Sequence, residues 1–197
     1  IAYLKQQLQA LSCSILEPAE SALAAYFDFG KQSSLAFRAD MDALAIEEKN
    51  TCDYRSCHPH QMHACGHDAH MAILLEFACR LHQFNTCDYN VLLLFQPAEE
   101  TNGGAKSIID SGILTKFHVK ALFGFHVWPA LKKGRVASKA GVMMAKSAEI
   151  DIVIKGKRAH IAQSDKGKDA LKAAVAFLQE VQRVKATVTK QTFLLEF

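Results

Sequence analysis

Val91 to Phe95 read Val-Leu-Leu-Leu-Phe without a polar interruption, and Pro97 stops the run two residues later. A strand with one wet face alternates polar and apolar residues. A run that is apolar at every position has to be covered on both faces, as strands of a parallel sheet are. VKALFGFHVWP repeats the pattern and predicts a second buried strand from Ala121 to Val127, stopped by Pro129. Helical spacing fills the intervals. Asp68 to Leu81 carries Ile73, Leu74, Phe77, Ala78 and Leu81 on one side, and GGAKSIIDSGIL opens on glycines and reads as another helix. Earlier in the chain, Ala2 to Leu11 predicts a surface helix, and SLAFRADMDAL (Ser34 to Leu44) starts as a strand that breaks at its acidic residues. The expected class is α/β, a mainly parallel sheet flanked by helices on both faces.

Open sheets of this kind place ligands at the carboxyl ends of their strands. Asp40 with Asp42, Glu99 with Glu100, and His126 each close or follow a different predicted strand, so the fold would gather them on one edge. Near Ser147 the texture changes. AEIDIVIKG alternates as a half-buried antiparallel strand does, Gly167 to Ala186 is an amphipathic helix, and TFLLEF is a further strand. This order is half of a split βαβ unit, so we expect one domain over 1–145 and part of a second over 146–197, with the boundary at about Ala145.

Composition removes several function classes. A net charge of +3 without a basic stripe gives no footprint for nucleic acid, and no apolar run approaches the ~20 residues of a membrane-spanning helix. Six cysteines invite a disulfide framework, but a chain of 197 residues can bury a core without stapling, and IAYLKQQLQAL lacks the layout of a secretory signal. The expectation is a protein in a reducing, cytoplasmic setting.

The chemistry concentrates in MHACGHDAHMAILL, Met62 to Leu75, which by itself fits a structural zinc knot, a redox element or the floor of an active site. Cys65 and His67 are two apart and can face the same way only from a loop, with a helix starting just beyond them. The positive end of that helix would favour the thiolate of Cys65, and Asp68 and His70 would lie in its first turn as caps or supports. In QPAEE the adjacent carboxylates Glu99 and Glu100 point in different directions, which suits one to metal and the other to proton transfer. Such pairs are also common on solvated loops, and His126 inside a buried strand is by itself more often a satisfied core histidine. Taken together, a cysteine, a histidine, one of the two glutamates and a second histidine, arriving from separate strand ends with the other glutamate as base, make a site for metal-activated water.

MHACGHDAHMAILL, RADMDALAIEE, FQPAEE, GFHVWPALKKGRV and KGKRAHIA, in this order and spacing, resemble the M20 metallopeptidase family and, within it, the amidohydrolase branch of hippurate hydrolases, N-acetyldiaminopimelate deacetylases and auxin-conjugate hydrolases. The resemblance runs from about Ser34 to Phe197. It implies a two-metal hydrolase of N-acyl amino acids, built from a zinc-exopeptidase-like catalytic domain and a ferredoxin-like lid through which the protein dimerises. It makes Cys65, His67, Glu100 and His126 ligands of two divalent ions (zinc, manganese, cobalt or nickel) and Glu99 the general base. His160 becomes the lid histidine that steadies the oxyanion, and Asp42 and Asp68 become supporting acids.

Three departures accompany the resemblance. SILEPAES stands where the family carries a histidine-proline-glutamate stretch, and Ala162 to Asp165 read AQSD where a proline and a histidine are usual. By the resemblance, the chain also stops halfway through the lid, before the returning segment that supplies a last histidine ligand. The alternative expectation is therefore a catalytically incomplete homologue that binds metal or dimerises. Bland readings stand beside the sharp ones. Cys52, Cys57, His58, His60 and His63 are crowded for a structural zinc site, His82 and His118 read as surface residues, Trp128 as packing, and Asp40 as a turn former after its strand.

Overall fold

A computed structural model describes residues 1–101, 103–143 and 150–187, and its contacts divide the chain into two units, Ile1–Ala130 and Leu131–Phe197. The expected boundary at Ala145 and the expected strand TFLLEF lie outside the described residues.

The first unit is a five-stranded sheet: β1 (Ser14–Leu16), β2 (Leu23–Phe27), β3 (Ser34–Asp40), β4 (Asn90–Gln96) and β5 (Val119–Gly124), in the spatial order β1-β2-β4-β3-β5. β4 is buried along its whole length, as its unbroken apolar run requires. Its side chains divide between two cores. Val91, Leu93 and Phe95 pack under α1 (Ala2–Gln9) and α2 (His67–Leu81), while Leu92 and Leu94 meet Ile108 of α3 (Gly104–Asp110) and Ile113 of α4 (Ile113–Lys116). Helices therefore cover both faces. β3 runs parallel to β4 and to β5, in register from Ser34 opposite Asn90 to Asp40 opposite Gln96, so the carboxyl ends of all three strands share one edge. At the opposite end Asn90 fixes the turn into β3. Its carboxamide accepts from the N–H groups of Phe29 and Lys31 (2.8 and 3.1 Å) and donates to the Lys31 carbonyl (2.7 Å).

Several expectations need correction. β1 and β2 form an antiparallel hairpin, and β2 is antiparallel to β4, so the sheet is mixed outside its parallel half. β5 is not a buried strand through Val127. It is an edge strand paired, among the described residues, only with β3, it ends at Gly124, and Leu122 and Phe123 are about half exposed (49 and 48%). The buried stripe of α2 is His67, His70, Leu74, Ala78 and Leu81, with Phe77 half-buried. Ile73 is exposed, since it stands ~100° around the helix from Leu74. GGAKSIIDSGIL makes two short helices, because Gly112 takes a left-handed conformation (φ +73°) between them.

In the second unit, residues 150–156 form no strand. Alternation stabilises a strand only once a partner supplies the ladder, and the described part of this segment is held by a single bridge between Lys157 and Lys168. A 3₁₀ helix, Ile161–Lys166, precedes α5 (Ala170–Thr187), the expected amphipathic helix, whose apolar residues Leu171, Val175 and Leu178 are exposed.

Candidate metal centre

Three loops leave the shared strand edge and a fourth segment, the head of α2, comes up between them. The Met41 N–H donates to the Gln96 carbonyl (2.9 Å), which holds the ends of β3 and β4 together where Asp42 and the QPAEE turn begin. In that turn Ala98 has a positive φ (50°), and the Gly104 N–H closes it by donating to the Ala98 carbonyl (3.3 Å). Gly104 has no room for a side chain, because a Cβ would lie 1.7 Å from the Pro97 carbonyl oxygen. Gly66 is constrained in two ways at once. Its φ of +88° is costly for any residue with a Cβ, and a Cβ there would come 2.6 Å from Val127 Cγ2. A glycine between Cys65 and His67 thus turns both side chains toward one side and lets the chain after β5 approach them.

Here the residues singled out from sequence converge. The Cys65 Sγ lies 3.4 Å from His126 Nε2, and the ligand atoms of Cys65, His67 and His126 all fall within 4.8 Å of one another, as do those of His67, Glu99 and Glu100. His67 belongs to both sets. Its Nδ1–H donates to the Asp42 carbonyl (3.0 Å), with the Asp42 carboxylate 3.2 Å from the same nitrogen, which leaves Nε2 with its lone pair facing inward. That Nε2 is fully buried and has no hydrogen-bond partner. It faces Glu100 at 3.7 Å and Glu99 at 3.9 Å, too far for a hydrogen bond and acceptor against acceptor. Ligand atoms ~2.1 Å from a shared tetrahedral zinc stand about 3.4 Å apart, so these gaps fit an ion between them. His126 presents Nε2 in the same way, since its Nδ1–H donates to the Val127 carbonyl (2.6 Å). It does so from an exposed loop beyond β5 and not from within a buried strand.

The electrostatics differ from the helix-dipole expectation. The Cys65 thiol is pushed up to about 11, first by burial, then by its hydrogen bond to Glu100 and by the negative charge of Glu100, Glu99 and Asp40. Carboxylates this close outweigh the half charge at the head of α2. Asp42 goes the other way. Burial works to raise it, but the N–H groups of Glu100 and Glu99, and the neighbouring His67, hold its carboxyl below the usual carboxylate range. The Glu100 N–H donates to Asp42 Oδ2 at 3.0 Å, so one carboxylate ties the orientation of His67 to the QPAEE turn.

Asp40 is not a simple turn former. It is buried, bonded through Oδ1 to His70 Nδ1–H (2.5 Å) and through Oδ2 to Arg38 (2.7 Å). The sequence carried half of this signal, because His70 stands three residues after His67 and must share its helix face, but nothing in it pointed to Asp40 as the partner. Asp68 is exposed in the first turn and makes no capping hydrogen bond. It lines a cavity of about 690 Å³ with Cys52, Cys57, His58 and His63. Among the described residues those cysteines and histidines form no ligand cluster, and all six cysteines are free. His160 is in the second unit, exposed, its Nδ1 accepting from the Ala162 N–H (3.2 Å) at the start of the 3₁₀ helix.

The chain is 37% identical over 186 residues to an uncharacterized hydrolase of Staphylococcus haemolyticus, an alignment covering 93% of the chain and 49% of the relative. It thus spans about half the length of the curated relatives it matches. A putative aminohydrolase from methicillin-resistant Staphylococcus aureus superposes with a TM-score of 0.77 at 27% identity, over 96% of this chain and 51% of that one. The Bacillus subtilis YXEP protein, described as a dinuclear metal binding peptidase from the M20 family, superposes with a TM-score of 0.62 at 33% identity, over 66% of this chain and 37% of that one. The model of peptidase family M20/M25/M40 matches residues 36–194, about four-fifths of the chain, and the chain therefore belongs to that family.

Proposed function

We propose that this chain carries the metal site of a hydrolase that cleaves the amide bond of N-acyl amino acids. The observation that carries the reading is the orphaned, fully buried Nε2 of His67, ringed by Cys65, His126, Glu99 and Glu100. A buried acceptor without a proton donor is costly, and a cation satisfies it together with the thiol and carboxylates around it. In this reading Cys65, His67, Glu100 and His126 hold two divalent ions, and the mixed sulfur, nitrogen and oxygen donors admit zinc, manganese, cobalt or nickel. Bound there, such ions supply a Lewis acid for the scissile carbonyl and acidify water. Glu99, its side chain 40% exposed, stands at the open side of the site, takes a proton from the attacking water and returns it to the leaving nitrogen. Asp42 keeps His67 in the Nδ1–H tautomer. His160 is assigned the donor to the developing oxyanion, and Asp68 a supporting role, on the motif match alone.

The dinuclear description of the Bacillus relative and the aminohydrolase description of the staphylococcal one support the metal and the reaction class. Six free cysteines suit a reducing cytoplasm, and among the described residues no helix is long and apolar enough to cross a membrane. Dimerisation through the second unit is supported by the exposed apolar residues of α5. The reading is tested by release of acetate or benzoate from N-acyl amino acids by the full chain. Turnover should require added divalent metal and fall by at least ~10²-fold in Glu99→Gln. Tight metal binding without turnover on a broad acyl panel would favour a homologue that binds metal but does not catalyse.

A further inference from the structure

His70 has both ring nitrogens engaged, and both engagements are directional. Nδ1–H donates to the buried Asp40 carboxylate at 2.5 Å, and Nε2 accepts the main-chain N–H of Val127 at 2.9 Å. The ring is fully buried. A carboxylate on one nitrogen and an N–H donor on the other admit only the neutral Nδ1–H tautomer, whose one lone pair is already used. Asp40, His67 and His70 do lie within 4.8 Å of one another. With its lone pair committed to Val127, His70 is nonetheless excluded as a ligand in that group.

What His70 holds is the residue next to His126. The loop beyond β5 is exposed at His126, and the His126 ring packs edge-on against His70 with centroids 4.5 Å apart. Asp40 is itself fixed, since Arg38 donates to it (2.7 Å) and to Gln96 Oε1 (2.7 Å). A chain of bonds thus runs from the paired ends of β3 and β4 through Asp40 and His70 to the Val127 N–H.

We propose that His70, oriented by Asp40, is a positioning residue that sets the main chain at Val127 and thereby aims His126 Nε2 at Cys65 and the metal. The inference rests on the metal-site reading above, with His126 as a ligand. An exposed loop left to itself samples many conformations, and ordering it in advance removes that cost from metal binding.

Cobalt(II) titration of the full chain reads this without turnover, since the sulfur-to-cobalt charge-transfer band reports Cys65 and the visible bands report the number and geometry of ligands. His70→Gln keeps an acceptor near the position of Nε2, whereas His70→Asn keeps the donor to Asp40 and loses the acceptor for Val127. His70→Asn is expected to weaken cobalt binding by roughly 10–100-fold and to dim the visible bands, while His70→Gln stays within about threefold of the parent. In a His126→Ala background, His70→Asn should add no further loss. Equal cobalt affinity and spectra in His70→Asn and the parent, equal losses in Asn and Gln, or a further loss on top of His126→Ala would overturn the proposal. A parent chain with no charge-transfer band would overturn the metal reading itself and this inference with it. Amide exchange on the unmodified chain gives a check that no folding defect can confuse. The Val127 N–H should be protected within its exposed loop, and free exchange would refute the bond on which the proposal stands.

Discussion

Cys65 shows how far one residue's chemistry departs from its local sequence. The head of a helix favours a thiolate, yet burial and three nearby carboxylates push this thiol to about 11. Near neutral pH it is protonated before metal binds, so binding releases its proton. Below about 11 the thiolate fraction rises tenfold per pH unit, and metal affinity from this ligand rises with it. Competition titrations between pH 7 and 9 should show log affinity increasing with a slope near one from this group, and Cys65→Ala should flatten that slope. Asp42 titrates in the opposite sense. A carboxylate held below its usual range contributes stability that is present above the unfolded value and lost as pH falls through the folded one. Asp42→Asn should therefore be less stable at neutral pH and lose less of its stability on acidification, as read by thermal melts over a pH series.

Among the elements, the ones with strong patterns were legible in the sequence: β4 from its unbroken apolar run, α2 from its stripe, and the shared edge of Asp42, Glu99 and Glu100 from the parallel arrangement. The β1–β2 hairpin was not, because Ser14–Leu16 and Leu23–Phe27 are too short for a period to declare itself. The extent of β5 was misread for another reason. Its apolar composition states a preference for burial, but only neighbouring strands decide whether that preference is met. The bond between Asp40 and His70 joins residues thirty positions apart, and spacing gave only the helix face and not the partner. Two glycines carry predictions at this scale. Gly104→Ala must displace the Pro97 carbonyl, so it should lower stability by more than the ~1 kcal/mol typical of a substitution and release the QPAEE turn. Gly66→Ala forces an unfavourable φ, at about 1–2 kcal/mol, and presses on Val127. Calorimetry without metal measures the first cost, and cobalt spectra should show that both variants disturb the site.

At the scale of the whole molecule, the first unit contains every residue of the proposed metal site, and the second contributes His160 and the exposed apolar face of α5. The sequence foretold that α5 would be amphipathic. It could not foretell the covering, which is a property of partners and not of the helix. If that face joins two copies, the full chain should sediment as a dimer, and Val175→Glu with Leu178→Glu should yield monomers whose cobalt spectrum is unchanged. A monomeric parent would remove the dimer from the reading and leave the metal site standing.

His67 Nε2 stands in both ligand sets, yet an imidazole nitrogen has one lone pair and serves one ion at a time. Whichever ion takes it leaves the other set one donor short. The residues described here therefore fill in succession and not independently, and an isotherm on this chain should separate into a tight step and a weak one. The order of the two steps depends on which metal is offered: a thiophilic ion settles first beside Cys65 and His126, a harder one beside Glu100.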